Sequence, residues 1–261
     1  MLQNGYVASN IHPRPQAEPP PFWLRPRAPQ LACLAPADRM KVRGTIYAQE
    51  DPATFVYQVV VGMVRTVYVS RDGWRVVRDF HVPGDVFGFE NAGIHTCSAE
   101  ALGDVHVFRS ERNSVEASAV TDQRVAHSLW GWLLAGGKRA ECLSLLGRAS
   151  ALEKLAYFLS DVADRMGATR QLELPMSRSD IGDYLGLSSE TVSRTFTVLR
   201  GRGLIATEGR FVLLLNREAL RQLGRELAVS AFNQKENGNA PNGDELRGVL
   251  PLQSRGMAAR T

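Results

Sequence analysis

The stretch from residue 177 to residue 200, SRSDIGDYLGLSSETVSRTFTVLR, constrains the fold of this chain more than any other. It predicts two short helices joined by a tight turn. Ser177 can cap the first helix, and Asp180 three residues later completes a capping-box pattern. Gly186 ends that helix, and Ser188 can cap the second one. The stretch therefore predicts a helix-turn-helix.

The second of these helices has one apolar side and one polar side. At 100° per residue, Val192, Phe196 and Leu199 lie together on its inner side. A carboxylate, a hydroxyl and a guanidinium on its outer side can contact base edges in a DNA major groove. The alternative is an ordinary surface helix of an α-hairpin. The predicted DNA-contact residues, on this helix and at the start of the first, are Ser177, Arg178, Ser189, Glu190, Thr191, Ser193, Arg194 and Thr197.

Length and composition are those of a soluble globular protein. The 261 residues suffice for two modest domains, with 44% hydrophobic and 22% charged residues. No run reaches the length of a membrane span and no secretory signal pattern opens the chain, so we expect a cytoplasmic protein without a membrane partner. Three scattered cysteines, Cys33, Cys97 and Cys142, lack the close spacing of zinc or iron–sulfur ligands.

Net charge alone would not identify a DNA-binding protein here. The formal charge is +4, and most of the excess lies within residues 1–44, which carry six basic and two acidic residues. Residues 176–210 carry five arginines against four carboxylates. We therefore expect the helix-turn-helix to bind through individually placed contacts rather than through a strongly basic surface.

Both ends of the chain read as disordered tails. Residues 1–36 contain eight of the thirteen prolines, which favour extended, solvated backbone. We predict a disordered tail over residues 1–43, although its apolar residues 22–24 could instead dock on the folded body. A polar, Gly- and Asn-rich tail is predicted over residues 231–261.

Residues 44–120 predict a small antiparallel β-barrel or roll. Runs rich in Val, Tyr and Phe cover residues 55–61 and 64–69, and a turn at residues 71–73 leads to a strand over residues 74–80. A corner follows at residues 83–88. Two further strands are predicted at residues 98–102 and 105–108, with a turn at Gly103 and Asp104 between them.

Residues 121–148 predict a long helix with a heptad seam. Such a seam over three heptads is commonly a dimer interface, so we expect a homodimer. The alternative is that the helix lies on its own roll, because the seam is weak in the middle. The seam consists of Val125, Leu129, Trp132, Gly136, Arg139, Leu143 and Leu146.

Residues 149–230 predict a winged helix-turn-helix domain. An apolar stripe marks a helix over residues 151–166, ended by Gly167. A short strand precedes the helix-turn-helix, a β-hairpin with its turn at residues 208–210 follows it, and a helix over residues 216–228 closes the domain.

This order of parts resembles the Crp/Fnr family of bacterial transcription regulators, and within it the FixK-like branch. The residues that carry the resemblance are PGDVFGFE (83–90), SAEAL (98–102), LSLLGR (143–148) and LPMSRSDIGDYLGLSSETVSR (174–194). The resemblance covers about residues 44–225. It implies an α+β fold with an N-terminal double-stranded β-helix (a cyclic-nucleotide-binding-like jelly roll), a long dimerisation helix and a C-terminal winged helix-turn-helix.

The resemblance also implies a function. Family members bind two-fold symmetric operators as homodimers and contact RNA polymerase. The Glu-x-x-Ser-Arg pattern of Fnr-type recognition helices matches Glu190, Ser193 and Arg194, and such helices bind half-sites resembling TTGA. Crp itself has an arginine where this chain has Ser189. The FixK-like branch implies an activator of microaerobic, anaerobic or respiratory genes, and no cofactor.

The roll departs from the cofactor-binding members of the family. Cyclic-nucleotide-binding relatives carry Gly-Glu-Leu and then Arg-Ser/Thr-Ala, where this chain has GFE at residues 88–90 and TCSA at residues 96–99. The arginine that pairs the phosphate is missing from that pattern, so we do not expect cyclic AMP binding. Three isolated cysteines cannot supply the four ligands of an Fnr-type iron–sulfur cluster.

Two alternatives remain at the level of sequence. A sensor regulator could hold haem or a nucleotide-like ligand in the roll, with His81 or Cys97 as an axial ligand. A metal-dependent barrel enzyme fused to a DNA-binding domain would need a metal site built from the roll. No His-x-His spacing supports it, and we expect no enzyme activity. Its candidate ligands are His81, Glu90, His95 and His106.

Overall fold

The N-terminal half of the chain folds into a β-roll. The computed structural model describes residues 31–33, 35–90 and 93–224. The roll is one six-stranded antiparallel sheet that curls around an apolar interior. Its strands are β1 (Asp38–Tyr47), β2 (Phe55–Val61), β3 (Val64–Val69), β4 (Arg75–His81), β5 (Val86–Phe87) and β6 (Ser98–Glu111). The predicted hairpin at residues 71–73 is confirmed, with Ser70 N donating to Trp74 O at 2.8 Å.

The first strand begins inside the predicted disordered tail. β1 starts at Asp38 rather than Gly44 and pairs with β6 along its whole length. The fold extends further upstream, because Leu31 is fully buried and its backbone N donates to Gln58 Oε1 at 2.6 Å. The tail boundary at residue 43 is therefore wrong. Prolines and alternating charges hid a strand whose Met40 and Val42 pack against the roll interior.

The predicted turn at Gly103 and Asp104 is also wrong. β6 runs through both residues as one 14-residue strand. Its first part pairs with β3 and its second part with β2, while β1 follows it on the other side. Gly103 has a φ of 95° and the pairing register with β1 shifts nearby, so this glycine accommodates a bulge rather than a turn.

Three helices connect the roll to the C-terminal part. They are α1 (Arg112–Thr121), α2 (Gln123–Leu145), which continues as a 3-10 turn over Leu146–Arg148, and α3 (Ala151–Met166). The predicted start and end of α3 are confirmed. Ser150 and Glu153 form a capping box at its start, and Gly167 adopts the left-handed conformation at its end.

The predicted dimer seam of α2 faces its own chain. Val125 is buried, and Leu129 and Trp132 pack against an apolar cluster that includes Leu31. The other seam positions follow the same course. Gly136 and Arg139 line a cleft of the roll, Leu143 packs against the central core, and Leu146 is buried. These side chains are already buried or half-buried within the protomer, and their assignment to a dimer interface stays a prediction.

A second apolar stripe on α2 is exposed to solvent. Trp130, Leu133 and Leu134 have relative exposures of 68%, 53% and 60%. Trp130 and Leu133 follow the seam residues Leu129 and Trp132 by one position, which places their stripe about 100° around the helix. Gly137, also exposed, continues this stripe one turn later.

The C-terminal half is a winged helix-turn-helix. Its elements are β7 (Gln171–Glu173), α4 (Arg178–Leu185), α5 (Ser189–Gly201), β8 (Ile205–Glu208) and β9 (Phe211–Leu214). The three strands form a small antiparallel sheet in the order β7-β9-β8. A closing helix begins at Arg217 and continues to residue 224, where the described residues end.

One apolar core joins the two halves. Met63, Val67 and Val77 of the roll belong to the same buried cluster as the apolar residues of α3, α4, α5 and the wing. At its centre, the Phe80 ring meets Phe158 of α3 and Tyr184 of α4 edge-on, at centroid distances of 5.8 Å and 5.2 Å. The helix-turn-helix is therefore packed on the roll rather than tethered to it.

Several sequence predictions lie outside the described residues. They are the tail over residues 1–30 with its possible docking segment 22–24, the end of the closing helix after residue 224, and the tail over residues 231–261. Within the described residues, no helix is both long and apolar enough to cross a membrane.

Candidate DNA-binding surface

Local hydrogen bonds fix both ends of α4, as the sequence predicts. Ser177 Oγ accepts from Asp180 N at 3.0 Å, and Asp180 Oδ2 accepts from Ser177 N at 3.1 Å. The helix ends at Gly186, whose φ of 64° suits glycine. Ser188 then caps α5 by accepting from Thr191 N at 3.1 Å. The turn between the two helices is thus set by residues that the sequence already identifies.

The backbone of the turn between the two helices passes close to α4 at Gly182. A Cβ atom at this position would lie 2.4 Å from the backbone O of Leu187. Only glycine fits this distance, because a backbone carbonyl in a tight turn cannot move aside easily. The path of the turn that leads from α4 into α5 is therefore fixed by direct backbone contact.

The outer face of α5 carries the predicted triad in an exposed, ordered arrangement. Arg194 Nη2 lies 2.5 Å from Glu190 Oε1, with relative side-chain exposures of 78% and 71%. Ser193 Oγ donates to Ser189 O at 2.9 Å, as is common for serine within a helix. Val192, on the opposite face, is fully buried. The structure therefore brings Glu190, Ser193 and Arg194 together on one solvent-facing surface.

The remaining predicted contact residues lie around this triad. Ser189 is exposed at the start of α5, and Thr197 is exposed one turn beyond Ser193, with its Oγ1 donating to Ser193 O at 3.3 Å. Thr191 is less available, because it is half-buried and its Oγ1 lies 2.8 Å from Ser188 Oγ. Ser177 is exposed, but its Oγ takes part in the capping box of α4.

Arg178 packs against the recognition helix instead of extending freely. Its guanidinium carbon lies 3.4 Å from the centroid of the Phe196 ring, a cation–π arrangement. Burial, and then the neighbouring positive charge of Arg200, lower the pKa of Arg178 below its ordinary value. This arginine therefore lies beside a second cation at the edge of α5.

Arg200 is a candidate contact residue that sequence reasoning missed. It is exposed, and its Nη2 donates to Thr197 Oγ1 at 3.1 Å. Among the described residues, neither Arg178 nor Arg200 forms an ion pair with a carboxylate. Arg200 follows Ser193 by seven residues, which is almost two helical turns, so both lie on the same side of α5. A helical projection extended one turn past Thr197 would therefore have identified it.

The carboxylates of the first helix, in contrast, are bound to the roll. Asp180 Oδ1 accepts from Arg65 Nη1 at 2.6 Å and from Arg75 Nη2 at 3.0 Å, both on the roll. Burial would raise the pKa of Asp180, but bonds from Ser177 and the charges of the two arginines outweigh it and lower the pKa. The Asp180 carboxylate is thus held ionised between the two halves of the protein.

The roll contains a cleft next to α2. Its volume is about 350 Å³, and Arg78, Asp79 and Arg139 are among the residues that line it. Arg139 Nη2 donates to Asp79 Oδ2 at 2.8 Å, so its charge is already paired. The cyclic-nucleotide motif would place its arginine near residues 96–99, where this chain has none. Arg78 instead brings an arginine to the cleft from β4. Cys97 also lines the cleft, and burial raises the pKa of its thiol.

The four candidate ligands of the barrel-enzyme alternative do not form a metal site. His81 Nε2 lies 3.3 Å from Thr66 Oγ1, and the His95 ring stacks on Tyr47 with centroids 3.5 Å apart. In the described part of the chain, no three His, Cys, Asp or Glu residues are grouped so that they could hold one ion. Burial lowers the pKa of both histidines, which favours their neutral forms.

The architecture defines a class of protein. A β-roll, a long helix and a winged helix-turn-helix with an exposed recognition helix are the parts of a two-domain DNA-binding transcription regulator. Family models agree: a Crp-like helix-turn-helix domain matches residues 153–223, and a cyclic nucleotide-binding domain matches residues 40–121. The chain belongs to the Crp/Fnr family and is a regulator of the FixK type.

Individual relatives support this assignment. The nitrogen fixation regulation protein FixK of Rhizobium meliloti is 43% identical over 180 residues, covering 68% of this chain and 82% of its own. FixK of Azorhizobium caulinodans is 42% identical over 185 residues, covering 68% and 75%. The structure of FixK2 from Bradyrhizobium japonicum has a TM-score of 0.67 and 42% identity, covering 72% of this chain and 96% of FixK2. These relatives confirm the prediction of a regulator rather than an enzyme.

Proposed function

We propose that this protein activates microaerobic, anaerobic or respiratory genes by binding, as a homodimer, a palindromic operator with TTGA-type half-sites. The observation that carries the proposal is the exposed outer face of α5, with Glu190, Ser193 and Arg194 side by side. The physiological theme comes from the FixK relatives, which are named as regulators of nitrogen fixation. Since the target is chromosomal DNA, the protein would act in the cytoplasm.

The pairing of Glu190 with Arg194 suits one base pair in particular. A guanidinium can donate two hydrogen bonds to guanine O6 and N7, and a carboxylate can accept one from cytosine N4. At 2.5 Å from each other, the two side chains could contact both bases of a single G·C pair. Ser193 would then contact a neighbouring thymine or a phosphate. A TTGA half-site contains one such G·C pair next to two thymines.

Residues around the triad would contact the DNA backbone. Ser189 and Thr191 lie at the start of α5, Ser177 and Arg178 at the start of α4, and helix N-termini favour phosphate. Thr197 extends the surface toward Arg200, whose guanidinium is free for a phosphate contact. These contacts would set the orientation of the protein, while the triad selects the sequence.

Binding of the full-length protein to a palindromic TTGA-type duplex tests the proposal directly. We expect affinity at least about a hundredfold above that for a duplex with scrambled half-sites, measured by fluorescence anisotropy at one fixed salt concentration. Equal affinity for both duplexes would contradict it. A duplex with a single intact half-site is the matched control for the requirement of two-fold symmetry.

We assign the dimer interface to the exposed stripe of α2. Trp130, Leu133 and Leu134 would pack against the same residues of a second copy, because a two-fold axis brings identical surfaces together. Trp130→Glu should therefore give a monomer in light scattering. Leu129→Ala, which removes an apolar side chain from the inward-facing seam, should lower stability but leave the dimer intact. A dimeric Trp130→Glu variant would refute this assignment.

We also propose that the protein works without a cofactor and recruits RNA polymerase. The departures from the cyclic-nucleotide motif at residues 88–90 and 96–99 support the first point, and the FixK-type family supports the second. An absorbance spectrum of the purified protein should lack haem or iron–sulfur bands, and calorimetry should detect no heat of binding for cyclic AMP. Purified protein should stimulate transcription from a promoter carrying the operator.

A further inference from the structure

We propose that Arg65 and Arg75 of the roll are positioning residues for DNA binding, because they fix the orientation of the helix-turn-helix and so determine which half-site spacing the dimer accepts. This inference rests on the proposed dimeric binding to a two-fold symmetric operator. The observation behind it is a continuous chain of ion pairs between the roll and α4. We call it the ion-pair chain, and in spatial order it consists of Glu100, Arg65, Asp180, Arg75 and Asp183.

The roll end of the ion-pair chain is rigid. Arg65 Nε and Nη2 both approach Glu100 Oε2, at 2.8 Å and 2.7 Å, and both residues lie on paired strands of the sheet. This contact leaves Nη1 of Arg65 aimed at Asp180, at 2.6 Å. A guanidinium held at one edge presents its other edge in a fixed direction. Arg65 therefore transmits the position of the sheet to α4.

The α4 end is equally constrained. Asp180 uses Oδ2 for the capping box with Ser177 and Oδ1 for both arginines, so its carboxylate connects the start of α4 to the roll. One turn later, Asp183 accepts from Arg75 Nη1. Two attachment points along one helix restrict its rotation as well as its translation. The side chain of Asp180 is only 7% exposed, which limits screening by salt at this point.

Apolar packing alone would not define the same orientation. The shared core around Phe80 and Tyr184 holds α4 on the roll, but hydrophobic contact depends on buried area and has little directionality. Ion pairs with hydrogen-bond geometry select one orientation among those that bury similar area. The backbone contact at Gly182 then transfers the orientation of α4 to α5. In a dimer, the two α5 helices would be set at one distance and one angle.

The test varies the spacer between half-sites. Adding or removing one base pair rotates one half-site by about 35° relative to the other. Wild-type protein should bind both altered operators at least about tenfold more weakly than its preferred operator. Arg75→Asp should reduce this difference to about threefold, because a freed α4 can adapt to other spacings. The double variant with Arg75→Asp and Asp183→Arg should restore the wild-type preference.

Two controls separate positioning from stability. Arg43→Asp makes the same change of charge at a solvent-exposed residue whose ion-pair partner, Asp104, also belongs to the roll. This variant should leave the spacing preference unchanged. The thermal midpoint is measured for every variant, since a merely structural role would lower it without altering the spacing preference. If Arg75→Asp does not fold, Arg75→Gln replaces it. An unchanged spacing preference in a folded Arg75 variant, or no recovery in the double variant, would overturn the proposal.

A measurement without DNA makes the inference independent of the operator. Spin labels on Val69→Cys in β3 and Val198→Cys in α5, both exposed sites, report the distance between roll and recognition helix in a chain whose native cysteines are replaced by alanine. The distance distribution should widen with Arg75→Asp and narrow again in the double variant. If wild-type protein shows no operator preference but the distribution behaves in this way, the proposed function fails while the positioning role stands. A distribution that Arg75→Asp leaves unchanged would contradict the positioning role.

Discussion

The two helices of the DNA-binding motif use their polar side chains in opposite ways. Both α4 and α5 begin with a serine cap. The carboxylates of α4, Asp180 and Asp183, are bound to arginines of the roll. On the outer face of α5, Glu190 and Arg194 pair with each other, with no further ion pair to the described residues, and remain exposed. One helix is attached to the protein body, and the other presents its polar groups to a partner.

This difference explains how a motif of modest charge can bind DNA selectively. The carboxylates of α4 could repel phosphate, but arginines of the roll neutralise them. Arg178 and Arg200, in contrast, have no ion-pair partner in the described part of the protein. Selectivity then depends on where a few side chains stand, and their positions depend on how firmly α4 is held. Four experiments test this division between the helices.

Gly182→Ala should have the largest effect on stability, because it disturbs the tight turn that connects α4, which is bound to the roll, with the exposed α5. The new Cβ would meet Leu187 O at 2.4 Å, and relieving such a clash should lower the free energy of unfolding by about 2–3 kcal/mol. Gly201→Ala, at the end of α5 with no neighbouring atom within 4 Å, is the matched control and should be neutral or slightly stabilising. Urea denaturation measures both. Equal effects would contradict the close approach of the turn to α4.

Arg194→Ala should affect DNA binding by α5 and leave the contacts of α4 with the roll unchanged. We expect a loss of about 1–3 kcal/mol in binding to the cognate operator, with little change on scrambled DNA, because only the base contact is removed. Arg202→Ala removes the same charge at the C-cap of α5, outside the predicted contacts, and serves as control. Equal weakening of Arg194→Ala on both duplexes would show that Arg194 contacts phosphate instead of a base.

Removing the N-cap of α4 should lower the free energy of unfolding more than removing the N-cap of α5. Ser177→Ala should cost about 1–2 kcal/mol, since it removes the cap bond from Asp180 N and also the bond that the hydroxyl donates to the buried carboxylate of Asp180. Ser188→Ala breaks a more exposed cap and should cost about 0.5–1 kcal/mol. Ser179→Ala, an exposed position within α4, is the control. Denaturant midpoints give the ranking, and the reverse order would contradict the attached role of α4.

Arg200→Ala should have the smallest effect, visible mainly in salt dependence. Loss of one phosphate contact should reduce the slope of log affinity against log salt by about 0.9, equally for cognate and scrambled duplexes. Arg178→Ala should give a similar reduction. Arg43→Ala removes a charge from the roll and should leave the slope unchanged. An unaltered slope for Arg200→Ala would remove this residue from the DNA-contact surface.

Local patterns predicted the C-terminal half well. Caps, turn glycines and apolar spacing depend on residues within about one helical turn, so Ser150, Ser177, Gly186 and Ser188 could be assigned from sequence. The same reasoning placed β2 and β3 at their observed bounds. The outward direction of Glu190, Ser193 and Arg194 followed from helical periodicity alone.

Longer-range features could not be predicted in this way. A heptad pattern shows that α2 has an apolar stripe but not what covers it, and here the roll covers it while Trp130 and Leu134 stay exposed. The bond from Arg65 to Asp180 joins residues 115 positions apart, and no sequence pattern links them. The strand at residues 38–47 was obscured by neighbouring prolines, although its alternating apolar residues were a usable signal.

The shared core has a consequence for how the chain can be divided. Phe158 and Tyr184 of the C-terminal half pack edge-on against Phe80 of the roll, and cutting the chain near residue 149 would expose these rings to water. A fragment that carries the whole helix-turn-helix would therefore be prone to self-association, and a transplant of this motif onto another sensor would need a replacement for that surface. In calorimetry, the two halves should melt together as one cooperative unit.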